Sequence, residues 1–441
     1  MEGGLIKKVK WYKNYFYLLP HMSKESNETQ SEKLSLPQNE SLTSENLPVF
    51  KSFDDLQLRD NLRRGIYSYG YERPSAIQSK GIYPITQGRD VIGQAQSGMG
   101  KTATYSIGLL EVINPALKDT QAIVLANTRE LADQIDSVIR NLGAYLKINV
   151  CLSISGNPVE KNIEALRKRP HIVVGTPGRI YDMIHRRALR TKSVKIIVID
   201  EADEMLKKRF NRKQNDQGPR KLDFLQQIEQ IFKSLPSDVQ AALFSATMPP
   251  DFFEITKKLM RNPIQILVEP ELLSLSGIKQ YYIDIERNDH KFDILCDLYD
   301  VLTITQAIIY CNSRKMVEDL SQRLKDEDFS VSSIHGSMTP LEREERMKEF
   351  KSGKSRVLVS TDLLSRGIDV QQISIVINYD IPRSVDNYLH RIGRSGRYGR
   401  KGVAINFRTP YDGGKINDIE KHYNIAIDEW PENSDELAEF L

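Results

Sequence analysis

From about residue 50 the chain alternates between short continuous apolar runs and longer stretches with helical spacing. The runs are β-branched: "AIVLAN" (122–127), "HIVVGT" (171–176), "IIVID" (196–200) and "AALFSAT" (241–247). Strands that are apolar at every position, not at every second one, are buried on both faces. With helices between them to supply the cover, the pattern predicts a parallel sheet. It pauses near "EPELLSLSG" (269–277). It resumes with "AIIYCN" (307–312), "VSSIHG" (331–336), "RVLVSTD" (356–362), "ISIVINYD" (373–380) and "GVAINF" (402–407). Two α/β domains follow, at 49–268 and 279–441, joined by a linker at 269–278. In open parallel sheets ligands sit beyond the carboxyl ends of the strands, so the polar residues that end these runs mark where chemistry is expected.

Residues 1–48 lack this pattern and are expected to form a disordered tail. The stretch 23–48 is rich in Ser, Glu, Asn and Gln with few aromatics, and such a composition cannot offset its ordering entropy. Met22 opens this polar stretch and is a candidate start of translation. The preceding "LIKKVKWYKNYFYLLPHM" begins basic, but Lys13 and Asn14 interrupt any signal-like apolar core, which argues against secretion.

Composition adds bounds. The 441 residues are 40% hydrophobic, enough for a sizeable core in two or three domains. Charged residues make up 27%, yet the net charge is only +3, so bulk charge does not advertise a nucleic acid and any such contact must come from local groups. The three cysteines, Cys151, Cys296 and Cys311, match no zinc or haem spacing and are too sparse for a disulfide framework. A reducing intracellular compartment is the natural reading. No apolar run approaches membrane-spanning length. One segment stands apart: "KKRFNRKQNDQGPRK" (207–221) carries seven basic residues against one acidic. It reads first as a solvated surface insertion, with an RNA- or partner-contacting loop as the alternative.

Two motifs carry chemistry. "AQSGMGKT" (95–102) departs from the usual phosphate loop only in Ala95, which replaces its first glycine. Gly98 and Gly100 permit close backbone approach, so that backbone N–H groups cradle phosphates at a helix N-terminus. Lys101 reaches the β- and γ-phosphates, and Thr102 offers a hydroxyl to Mg²⁺. Such a loop needs a carboxylate at the end of a buried strand to hold the magnesium. Asp200, closing "IIVID", is that residue, and Glu201 beside it is placed to accept a proton from the attacking water. Asp203 reads as a structural and coupling carboxylate.

With "DEAD" at 200–203 and "AQSGMGKT" at 95–102, the sequence resembles the DEAD-box RNA helicases from about residue 50 to the C-terminus. "YGYERPSAIQ" (69–78) resembles their adenine-reading motif, with Gln78 on the base edge and Phe53 upstream as the stacking aromatic. "TREL" (128–131), "SISGN" (153–157) and "TPGR" (176–179) resemble RNA-backbone motifs, and "SAT" (245–247) the motif coupling ATP to RNA. "STD" (360–362), "RGID" (366–369) and "HRIGRSGR" (390–397) match in the second domain.

The resemblance implies two RecA-like domains, an ATP-dependent RNA helicase activity, and the cofactors ATP and Mg²⁺. It implies ATP contacts at Phe53, Gln78, Gln96, Ser97, Gly98, Gly100, Lys101, Thr102, Gly367 and Asp369. Magnesium would be held by Thr102 and Asp200, partly through water, with Arg394 and Arg397 as arginine fingers. Largely sequence-independent RNA contacts would come from Thr128, Arg129, Gly156, Thr176, Arg179, Gly336, Arg343 and Thr361. Coupling would run through Asp203, Ser245, Thr247 and His390. His390 is expected at an interdomain contact and not on a metal, because no ligand cluster surrounds it in the sequence. Closed domains would grip and bend one RNA strand.

Finer resemblance is to the translation initiation factor 4A group. "RRALRT" (186–191), "KFDILCDLYD" (291–300) and Ser395 favour its nuclear, exon-junction and ribosome-biogenesis branch. "DLLSRGIDVQQ" (362–372) favours the cytoplasmic translation branch. The nuclear branch, and with it a nuclear location, is preferred. Protein partners of an initiation, exon-junction or pre-ribosomal complex are expected, and a monomer when alone. Met99, Asn127, Asn157 and Pro340 depart from the family pattern, and all but Met99 bear on RNA affinity. An RNA clamp whose hydrolysis is inhibited by partners stays open as an alternative. A degenerate scaffold is disfavoured, because the nucleotide-contacting positions survive.

Overall fold

All five residues of Ile196–Asp200 are buried, which only a strand covered on both faces allows. In a computed structural model of the chain, the described residues are 44, 46–96, 98–207, 222–267, 278–302, 304–364, 373–395 and 402–431. The expectations for positions 1–43 and 45 of the tail, for Met22, for positions 208–221 of the basic segment and for the linker at 269–277 lie outside these residues. The end of the tail, expected to be disordered, is held at Ser44, whose hydroxyl accepts from Gln265 N at 2.9 Å.

The first sheet holds β1 (Val91–Gln94), β2 (Ala122–Leu125), β3 (Val150–Ser153), β4 (Ile172–Gly175), β5 (Ile196–Asp200), β6 (Gln240–Ser245) and β7 (Ile264–Leu267). Helices α1 (Asp60–Ser68) and α2 (Ala76–Thr86) precede it. Between its strands run α3 (Lys101–Val112), α4 (Arg129–Leu142), α5 (Val159–Arg167), α6 (Pro177–His185), α7 (Ala202–Met205), α8 (Phe224–Lys233) and α9 (Pro250–Leu259). The second sheet holds β8 (Ile278–Asp284), β9 (Ala307–Tyr310), β10 (Val331–Ile334), β11 (Val357–Ser360), β12 (Ile375–Asn378), β13 (Gly402–Arg408) and β14 (Asp428–Glu429). Its helices are α10 (Lys291–Val301), α11 (Arg314–Asp326), α12 (Pro340–Lys351), α13 (Val385–Ile392) and α14 (Gly413–Tyr423).

Both sheets are parallel throughout. The first runs β3-β4-β2-β5-β6-β1-β7 and the second β10-β11-β9-β12-β13-β8-β14. The second order is the first with seven added to each strand number, so one RecA-like plan is used twice. Helix starts follow ordinary capping chemistry. The Thr128 hydroxyl accepts from Leu131 N at 3.2 Å to open α4, and the Thr339 hydroxyl accepts from Glu342 N at 3.3 Å to open α12. Pro340 is the first residue of α12, where its missing N–H costs nothing. Among the described residues no helix is long and apolar enough to cross a membrane, and none of the three cysteines is in a disulfide.

Candidate nucleotide and RNA site

β5, β6 and β1 are neighbours in the first sheet, so the three motifs that leave their carboxyl ends meet. Gln94 is in register with Ser245, and Phe244 with Asp200. After β1 the chain turns through Gly98 (φ 87°) and Gly100 (φ 95°), backbone that side chains rarely adopt. A Cβ on Gly100 would meet Gln78 Nε2 at 2.5 Å. Gly100 stands at the N-cap of α3, and Lys101 and Thr102 open the helix. Lys101 is buried and its ammonium donates to Ala95 O at 2.8 Å. Ala95 is buried too, its N–H donating to Ser245 O at 3.2 Å, so a methyl is accommodated where the usual loop has glycine. Gln78 ties the adenine-reading motif to the loop. Its Oε1 accepts from Ser75 N at 2.9 Å and its Nε2 donates to Gly100 O at 3.4 Å, while the Ser75 hydroxyl donates to Met99 O at 2.8 Å. Gln96 is half-buried in the same loop.

Glu201 caps α7 with φ at 49°, a left-handed conformation uncommon outside glycine and often held at functional sites. Asp200 beside it takes one donor on each oxygen: Oδ1 accepts from Glu201 N at 2.9 Å and Oδ2 from the Tyr105 hydroxyl at 2.8 Å. Burial pushes the Asp200 carboxyl up to about 6, the Glu201 charge adds to this, and Lys101 opposes it. Two buried carboxylates at the mouth of a phosphate loop, with one lysine to balance them, form an oxygen donor set short of positive charge. That fits a hard divalent cation. Asp203 is tied to the end of β6: its Oδ2 accepts from the Thr247 hydroxyl at 2.7 Å, and Thr247 N donates to the Ser245 hydroxyl at 3.3 Å.

The second sheet meets this cluster through α13. His390 Nε2 lies 3.6 Å from Asp203 Oδ2. Glu201, Asp203 and His390 bring ligand atoms within 4.8 Å of one another. The expectation that no ligand-type groups surround His390 is therefore corrected. They come from a different part of the sequence, and only the packing of the two sheets assembles them. Arg391, fully buried, holds the helix in place. Its guanidinium donates to Asp362 Oδ1 (2.5 Å), Asn378 Oδ1 (3.1 Å), Asp380 O (2.7 Å) and Asn312 Oδ1 (2.9 Å). Arg394 is buried in the turn that ends α13, its Nε donating to His390 O at 3.1 Å. Ser97, Gly367, Asp369 and Arg397 lie outside the described residues.

A cleft of about 330 Å³ opens beside the site. It gathers five of the expected RNA contacts, Thr128, Arg129, Thr176, Arg179 and Arg343. Gly156, Gly336 and Thr361 do not line it, although Ser155, next to Gly156, and Leu363, two residues after Thr361, do. Arg343 comes from α12 and reaches Glu130 of α4 at 3.0 Å, so the cleft is closed by both domains. Arg179 donates to Asn162 Oδ1 at 2.8 Å and to Asn157 O at 2.9 Å. Asn157, which departs from the family pattern, thus contributes its carbonyl to hold an arginine. Burial, then the Arg343 charge, holds Arg129 below the ordinary arginine value, and burial does the same to Arg179.

Phe53 does not fit its expected role. Its ring has no exposed surface and packs edge-on to Tyr67 at 6.3 Å, so it offers no face to a base. The apolar ring is drawn into the core beneath α1. Tyr71, half-buried in the loop before Pro74, is an aromatic with exposed surface in the motif itself. The sequence assigns no role of its own to Tyr105, or to Arg391 within its basic cluster. Tyr105 had a signal, since it falls four residues after Lys101 on the same helix. Arg391 had none beyond its place inside "HRIGRSGR".

Two domains of one plan, a phosphate loop on the first and a histidine of the second closing on its strand-end carboxylates, define a nucleotide-driven two-domain protein. Residues 75–255 match the DEAD/DEAH box helicase model and residues 290–399 the helicase conserved C-terminal domain. The chain belongs to the DEAD/DEAH box helicases. It is 54% identical over 389 residues to "ATP-dependent RNA helicase eIF4A" of Meyerozyma guilliermondii, covering 88% of this chain and 95% of the relative. It is 52% identical over 396 residues to "ATP-dependent RNA helicase FAL1" of Eremothecium gossypii, covering 90% and 96%. The structure of S. cerevisiae Dbp5 bound to RNA and ADP BeF3 is similar at a TM-score of 0.79 and 35% identity, covering 88% of this chain and 98% of that one.

Proposed function

We infer that the chain is an ATP-dependent RNA helicase of the eIF4A type, and that ATP is hydrolysed to ADP and phosphate in a site completed by both domains. The observation that carries this reading is the contact of Asp203, tied to Thr247, with His390 across the two sheets. It joins the nucleotide end of the first domain to the second.

Each residue then has a task. The loop from Gln96 and Ser97 through Gly98 and Gly100 cradles the phosphates, and Lys101 leaves Ala95 O to reach the terminal ones. Gln78 reads the adenine edge. A water attacks the γ-phosphorus, the bond to the β,γ-bridging oxygen breaks, and Glu201 accepts the water's proton. Arg394 and Arg397 stabilise the charge that develops on the γ-phosphoryl group, and Gly367 and Asp369 complete the nucleotide contacts from the second domain. Thr102 and Asp200 would hold magnesium, partly through water. That ion, when bound, neutralises charge on the β- and γ-oxygens. The arginines of the cleft hold RNA phosphates while Gly156, Gly336 and Thr361 border the strand. The domain division falls within 269–278.

The pathway is a separate proposal. The eIF4A name of the relative at 54% identity supports translation initiation, whereas 186–191, 291–300 and Ser395 support the nuclear branch. A pull-down from cells, read for cap-binding, splicing or pre-ribosomal partners, separates them. Activity is tested by RNA-stimulated ATP hydrolysis and duplex unwinding with Glu201→Gln. Turnover should fall by roughly 10²–10⁴ while RNA stays bound. A loss below about tenfold would remove Glu201 from the role of base.

A further inference from the structure

Tyr105 lies on α3 four residues after Lys101 and three after Thr102, so its side chain is a neighbour of each on the helix surface. Its ring is fully buried against Phe244 of β6, with centroids 5.2 Å apart. A phenylalanine would fill the same space without taking a hydroxyl out of water. The hydroxyl therefore needs a partner, and the partner is not a backbone carbonyl but Asp200 Oδ2, at 2.8 Å. The Thr102 side chain also adjoins the phenol. On the other side of the carboxylate, Oδ1 accepts from Glu201 N at 2.9 Å. Two donors on two oxygens fix the carboxylate plane and leave each oxygen a second lone pair.

We propose that Tyr105 is a positioning residue for Asp200, its hydroxyl setting the orientation in which that carboxylate receives magnesium. The proposal rests on the reading of Asp200 as a magnesium residue. Hydrogen-bond partners that orient ligating carboxylates typically change metal affinity or activity by about 10–100-fold when removed. Backbone N–H donation from Glu201 alone leaves Oδ2 without its donor, so the carboxylate gains rotational freedom that metal binding must then remove.

The test uses the full chain without RNA and follows binding of a fluorescent ATP analogue as Mg²⁺ is titrated, with a parallel measurement in EDTA. Tyr105→Phe keeps the ring against Phe244 and removes only the hydroxyl. The expected result is a Mg²⁺ midpoint raised about tenfold, with binding in EDTA unchanged. Thermal unfolding of the metal-free variant reports whether the fold is kept. A purely structural hydroxyl predicts a lower melting temperature with the wild-type Mg²⁺ midpoint, and that outcome overturns the proposal. Asp200→Asn separates the two layers of the argument. If it abolishes the Mg²⁺ response while Tyr105→Phe leaves it intact, Asp200 keeps its role and Tyr105 loses its own. If Asp200→Asn leaves the Mg²⁺ response intact, the magnesium reading itself fails and takes the proposal with it.

Discussion

His390 Nε2 stands 3.6 Å from Asp203 Oδ2, and neither side chain has exposed surface. The same Asp203 oxygen accepts the Thr247 hydroxyl at 2.7 Å. One carboxylate thus joins the end of β5, the end of β6 and α13 of the second domain. Groups acting through one such junction are non-additive. His390→Ala and Asp203→Asn should each lower RNA-stimulated ATP turnover, and the double variant should be little worse than the poorer single one. The coupling read from the four turnover numbers should fall at about 0.5–3 kcal/mol. Additive losses would place the two residues in separate roles.

Arg343 and Glu130 form a further contact between the domains, at 3.0 Å beside the cleft of about 330 Å³. Arg129 and Arg179 line the same cleft. If Arg343 holds one RNA phosphate, Arg343→Ala should flatten the plot of log affinity against log salt by about 0.7 for a single strand. Its effect should be similar for RNAs of different sequence, because a phosphate contact carries no base information. An unchanged slope would leave Arg343 as a partner of Glu130 alone.

The alternation of apolar runs with helical spacing made the central strands legible, because β2, β4, β5, β9 and β11 are buried at every position. Other strands were not legible from such runs. β7 is buried only at alternate positions, and β8 and β14 are partly or wholly exposed, so none of them presents a continuous apolar run. In the first domain the polar strand ends Asp200 and Ser245 lie beside the loop that follows β1. In the second domain Asn312, Asp362 and Asn378 end or follow their strands, yet they converge on Arg391 and fix α13 from within. Phe53 shows the limit of spacing alone: the motif places an aromatic there, and only packing reveals that its faces are used up.

Asp200 gives the nucleotide-free protein a pH signature. An aspartate in the unfolded chain titrates near about 3.9, and in the folded chain burial and Glu201 push Asp200 up to about 6. Between those values the folded state binds more protons than the unfolded state, so stability falls as the pH rises through the window and is level above it. The loss is on the order of 3 kcal/mol. In magnesium-free buffer, wild type should therefore become less stable relative to Asp200→Asn as the pH rises from about 4 to about 7. Denaturant melts at both ends of the range check this. A gap that does not change with pH would mean that the Asp200 carboxyl titrates normally.

Arg394 tests whether the active site is shared between the domains. It lies one turn after His390, buried, with its Nε on His390 O at 3.1 Å. The contact fixes the root of the guanidinium to the residue that itself meets Asp203, so Arg394 is carried to the nucleotide end of the first domain with α13. In the first domain Lys101 is the cation placed at the phosphate loop, and one ammonium cannot match charge spread over three γ-phosphoryl oxygens. A planar, permanently charged guanidinium can bond two oxygens at once, and lysine cannot copy that geometry. Arginine fingers supply roughly 10³–10⁵ in turnover. Arg394→Ala should therefore lower RNA-stimulated kcat by about 10³ or more, and Arg394→Lys should recover little of it. Affinity of the RNA-free protein for a fluorescent ATP analogue should change far less, because the arginine acts on the charge that develops in the transition state. Steady-state turnover and analogue binding, measured on the same preparations, make the comparison. Near-normal kcat in both variants would mean that this turn only braces His390 and that the first domain completes the chemistry alone.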